Sequence, residues 1–106
     1  MAKFMIEAIL SGDGMKGLEK DTAAGRHAVL AKAVKGLGGK LEAFYFSLGE
    51  HDVVTIVDLP DTISAAALAL HVSDSGLVRT KTTALLSVEE ANKAIEKKVS
   101  YRPPGR

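Results

Sequence analysis

Two β-rich runs, Lys40–Leu48 (KLEAFYFSL) and His51–Leu59 (HDVVTIVDL), are separated only by Gly49 and Glu50. A connection that short cannot carry a crossover, so the runs must fold back on each other as an antiparallel hairpin. A chain with this hairpin near its centre is committed to a sheet, and the remaining segments must extend and cover it. Pro60 closes the second run, because a proline has no N–H to give to a strand ladder.

The flanks supply further strands and the helices. Lys3–Leu10 (KFMIEAIL) is a short apolar run bounded by Ser11-Gly12-Asp13-Gly14, the pattern of a strand that ends in a loop. From Met15 to Leu37, the residues Leu18, Thr22, Val29, Leu30, Ala33 and Leu37 recur at the helical period, and Gly38-Gly39 stops that helix. Asp61 or Thr62 is placed to cap a second helix, Ile63 to Ser75, which Gly76 ends. Leu77–Leu86 (LVRTKTTALL) reads as a fourth strand. Ser87-Val88-Glu89-Glu90 is a capping box that opens a last helix from Val88 towards Lys98. Pro103 and Pro104 leave the tail from Val99 to Arg106 extended.

The order β-α-β-β-α-β followed by a helix predicts an α+β, ferredoxin-like domain spanning 1–106: a four-stranded antiparallel sheet with two helices on one face. Leu41, Ala43 and Tyr45, or Val53, Thr55 and Val57, are expected on the face that no helix covers. Strands apolar on both faces need a second cover, and the economical one is another copy of the chain, sheet to sheet. The expectation is a homodimer, or a higher assembly of dimers.

Composition removes much of the remaining chemistry. The 14 Lys and Arg against 13 Asp and Glu give no general field for nucleic acid or an anionic membrane. The absence of cysteine excludes a disulfide framework, a zinc-thiolate site and a thiol nucleophile. The N-terminal apolar run, interrupted by Glu7, is too short and polar for a signal segment or membrane span, so the expected location is cytoplasmic.

The segments GGKLEAFYFSLGEHDVV at Gly38–Val54, VDLPD at Val57–Asp61, SAAALAL at Ser64–Leu70 and YRPPG at Tyr101–Gly105 resemble the GYD domain family across nearly the whole chain. The resemblance implies a dimeric α/β-barrel fold of ferredoxin-like type, in small bacterial proteins without a defined biochemical role. The family motif falls on Gly49, His51 and Asp52, with Glu50 between them and His51 standing where the family has tyrosine.

Read as structure, Gly49 supplies a positive φ to the hairpin and Asp52 accepts hydrogen bonds from nearby amides. Read as function, His51 and Asp52 flank a pocket at the sheet end, with His51 carrying a proton or holding a ligand. Strand alternation argues against a His51–Asp52 dyad. His27, His51 and His71 lie 24 and 20 residues apart on three elements, a spacing that matches no compact metal motif, so no metal or other cofactor is expected. His71 falls between the two stripes of the second helix, where a packed or solvent-facing histidine is the first reading and the rim of a pocket the second.

Arg26 is embedded in the apolar stripe of the first helix. It must either snorkel out to solvent or pair, whether with a carboxylate such as Glu7, Glu42 or Asp52 or with a ligand carboxylate that it anchors. Tyr45 alternates away from Phe44 and Phe46, towards the second face of the sheet. Arg79 and Lys81 share one face of the fourth strand, without the Gly-rich loop of a phosphate site.

No nucleophile with a base, and no acid–base pair, converges in this pattern. The sequence therefore predicts a homo-oligomer that binds a small molecule, with Arg26, Tyr45, His51, Asp52 and His71 as ligand-binding candidates and no catalytic residue assigned. A cofactor-independent isomerase or monooxygenase-like enzyme is the competing expectation, on fold analogy alone. A purely structural interaction protein is the third.

Overall fold

The computed structural model describes residues 1–106. The elements run β1 (Ala2–Leu10), α1 (Gly12–Gly36), β2 (Lys40–Phe46), β3 (Val53–Leu59), α2 (Thr62–Asp74), β4 (Val78–Leu85) and α3 (Val88–Glu96). The strands form one antiparallel sheet in the order β2-β3-β1-β4, compatible with a ferredoxin-like arrangement. No helix is long and apolar enough to cross a membrane.

Both long helices cover the same face of the sheet. The core joins Phe4 and Ile6 of β1 and Val57 and Leu59 of β3 to Val34 of α1 and to Ala65 and Leu68 of α2. Val34, Val57 and Leu59 are fully buried. Alternation along β1 and β3 sends Lys3, Met5, Glu7, Val54, Ile56 and Asp58 to the opposite, open face. There the Lys3 ammonium pairs with both Asp58 and Glu42, and the hydrogen bonds it donates to these two carboxylates, the one to Asp58 first, raise its pKa.

The expected assignment of faces is corrected by this geometry. Val53, Thr55 and Val57 lie under the helices, and it is Val54 and Ile56 that face outward. In β2 the register shifts between Leu41 and Ala43, so that Leu41 packs against the core while Ala43 pairs with Ile56 and Tyr45 with Val54 on the open face. A strand apolar on both sides does not announce which side is covered, and a single extra residue reverses the alternation.

Two turns also differ from expectation. Ser11-Gly12-Asp13-Gly14 is the start of α1, not a loop, with the Ser11 hydroxyl accepting from the Gly14 amide at 2.9 Å. The β2–β3 connection is Ser47–Asp52, closed by the Ser47 amide donating to the Asp52 carbonyl at 2.8 Å, and Gly49 is not at positive φ. The longer connection needs no left-handed residue at its centre.

The predicted stops and caps are present. Gly38, at φ 81°, ends the run after α1. Asp61 caps α2, its carboxylate accepting from the Ser64 amide at 2.8 Å. Ser87 and Glu90 form the reciprocal box at the start of α3. Hydrogen bonds from Ser64 lower the pKa of Asp61, and hydrogen bonds from Ser87 lower that of Glu90. The unfolded chain therefore takes up protons at a higher pH than the folded one, and the caps stabilise fully only above the ordinary carboxylate pKa of about 4. The expected result is a loss of stability as pH falls from about 5 towards 2, read from denaturant midpoints. Asp61→Asn, which caps without titrating, is expected to flatten that dependence.

The last element stands apart. None of the residues of α3 is buried, and Val88 and Ile95 are exposed by 90% and 80%. The molecule measures 57 × 32 × 23 Å with a radius of gyration of 16.8 Å, against about 13 Å for a compact chain of this length.

Candidate functional site

The sheet and the two long helices do not close completely on each other. Between them lies a cavity of about 270 Å³, thirteen of whose twenty lining residues are hydrophobic. Ile6, Ala8, Phe44 and Phe46 form its sheet side, while Leu18 and Leu30 of α1, and Leu68 and Val72 of α2, close it from above. Phe44 and Phe46 meet edge to face at 5.3 Å, and the His27 ring stands edge-on to Phe44 at the same separation. The one buried hydroxyl in the wall, Thr55, already donates to the Ile6 carbonyl at 3.0 Å.

Two charged side chains line the cavity, Asp21 and Arg26, and they pair with each other at 3.5 Å. This meeting depends on a break in α1. Thr22 holds φ 70° and ψ 163°, a conformation that a β-branched residue enters at a cost, and divides α1 into two helical segments. Its hydroxyl accepts from the Gly25 amide at 3.2 Å and so caps the second segment. In an unbroken helix, residues five apart stand about 140° from each other around the axis. Asp21 and Arg26 face one another only because the helix is interrupted between them.

This corrects the expected stripe of α1. Thr22 sits at the break, Val29 is half in solvent at 52% exposure, and the fully buried position is Val34. The partner of Arg26 is Asp21 and not Glu7, Glu42 or Asp52. Asp21-Thr22 in the middle of a predicted helix was the available signal, since both are residues that cap helices more readily than they continue them.

The five candidate residues do not come together. Arg26 lines the cavity. Tyr45 is 69% exposed on the open face, opposite Val54. His51 stands 3.2 Å from Glu7, through Nδ1 and Oε2, and these two residues do not line the cavity. The Asp52 carboxylate accepts from the Leu10 amide at 2.8 Å and ties the β2–β3 connection to the end of β1. His71 is an exposed residue of α2, away from the cavity wall. Nowhere do three His, Asp or Glu side chains gather as a metal-binding set.

Fold and cavity together define a small α+β domain with a partly open, mainly apolar cavity between its sheet and its helices. The family model of the GYD domain matches residues 4–95, and the chain belongs to the GYD domain family. Comparison with curated proteins and with solved structures found no match.

Proposed function

We propose that this protein is a homo-oligomer that binds a small apolar molecule in the cavity between sheet and helices. The observation that carries the reading is the cavity itself, lined mainly by hydrophobic side chains from four strands and two helices. At about 270 Å³ it falls just below the usual range of ligand sites, about 300 to 1,000 Å³, and so suits a small ligand. Binding is favoured over catalysis because the titratable side chains in the wall, Asp21 and Arg26, are engaged with each other. A crystal structure of the protein purified without added ligand, together with mass spectrometry under native conditions, tests it. Bound density or excess mass is expected, and a water-filled cavity in both experiments counts against it.

Self-association is supported by two uncovered surfaces. Met5, Val54 and Ile56 are only half-buried on the open face of the sheet, and α3 presents Val88 and Ile95 to solvent. A sheet-to-sheet dimer of the α/β-barrel type, with α3 laid on the partner, covers both. Light scattering is expected to give twice 11.2 kDa, and Ile56→Arg to return a folded monomer. A wild-type monomer at micromolar concentration would remove the sheet-to-sheet arrangement.

A further inference from the structure

We propose that the cavity ligand is an apolar monocarboxylate, held at its charged end by Arg26 in place of Asp21. The inference rests on the reading of the cavity as a binding site and adds the chemical class of what enters.

The Arg26–Asp21 pair is well suited to exchange. It is a single contact at 3.5 Å, longer than a good hydrogen bond, between side chains 40% and 47% exposed. Such a pair is worth little in water, so displacing Asp21 costs little. The guanidinium offers five N–H donors in a planar fork, and a ligand carboxylate meets two of them at once.

The two partners are not equivalent. Arg26 belongs to the segment of α1 that the buried Val34 and the half-buried Leu30 pin to the core. Asp21 lies across the strained joint at Thr22, is exposed, and passes into solvent when released. The fixed member is thus the cation, and the vacated position selects an anion. Behind it the walls are Leu30, Phe44, Phe46, Leu68 and Val72, with the Thr55 hydroxyl already committed to the Ile6 carbonyl, so the remainder of the ligand must be apolar.

The test is a titration of the full-length protein with octanoate, octanol and octylamine, which share one body and differ in the head. Calorimetry gives the affinity, and the methyl resonances of Leu30, Leu68 and Val72 give the location. Octanoate is expected to bind at least about tenfold tighter than octanol, the effect of a hydrogen bond to a charged group, and octylamine more weakly than either. Arg26→Gln is expected to abolish the preference for octanoate over octanol, and an unchanged urea midpoint together with wild-type dispersion of the Leu30, Leu68 and Val72 methyl resonances shows that the variant is folded. Asp21→Asn is expected to tighten octanoate, because the internal competitor is weakened. Equal binding of octanoate and octanol overturns the carboxylate class and leaves the cavity reading standing, as does tighter binding of octylamine. Binding of none of the three, or shifts confined to the open face of the sheet, overturns both.

Discussion

Replacing Leu59 with alanine is expected to lower stability by about 3 kcal/mol. Leu59 is fully buried at the end of β3, within the cluster that holds Phe4, Val34, Val57, Ala65 and Leu68. Removing its branched end loses the transfer free energy of the deleted groups and leaves a void that strands on both sides of β3 prevent from closing. In a domain of this size, such a loss corresponds to a fall in melting temperature of about 12 °C or more. Urea denaturation at a fixed protein concentration measures it, with the midpoint moving and the slope constant. Leu70→Ala is the control. Leu70 is 70% exposed on α2, and its truncation is expected to change stability by no more than about 0.5 kcal/mol. Equal midpoints for the two variants would show that the core is not organised around β3.

The second large effect is expected at Gly39. A Cβ there would lie 2.2 Å from the Asp58 carbonyl oxygen and 2.7 Å from Leu59 Cδ2. Backbone cannot rotate away as a side chain does, so Gly39→Ala must push β2 off β3 at the position where Lys40 pairs with Asp58. Overpacking of this kind costs about 1–3 kcal/mol, and the backbone contact places Gly39→Ala at the upper end. Amide hydrogen exchange distinguishes this from a uniform loss. Protection is expected to fall first along β2 and the adjoining part of β3, where the ladder is pried open. Gly36→Ala, at a helical glycine with nothing near its Cβ position, is expected to be tolerated or to stabilise the end of α1. A Gly39→Ala protein as stable as wild type would show that the chain does not approach itself this closely.

Much of the local structure was legible without coordinates. Asp61, the Ser87–Glu90 box and Gly38 announced the ends of helices because each acts on amides or carbonyls within a few residues of itself. The candidate site was legible at one residue. Arg26 stood out as a cation in an apolar stripe, and it does line the cavity. The direction of Tyr45 was legible as well, since alternation sets it on the open face while Phe44 and Phe46 line the cavity, but His51, Asp52 and His71 stood out by residue type and by a motif, and neither property says which way a side chain faces.

The order of strands and helices, the α+β class and the caps follow from periodicity and short-range hydrogen bonds, which are properties of consecutive residues. The rest depends on pairings between distant segments. A register shift beside Glu42 turned Leu41 inward, off the face it would otherwise share with Ala43 and Tyr45. The positions of β1 and β3 in the sheet set Glu7 against His51, and the Asp52 carboxylate against the Leu10 amide. The break at Thr22, held open by packing on both sides of it, brought Asp21 to Arg26 and left an apolar cavity behind them. Such features are balances between a local preference and contacts formed only once the sheet is assembled, and the helical period that α1 follows on either side of Thr22 carries no record of them.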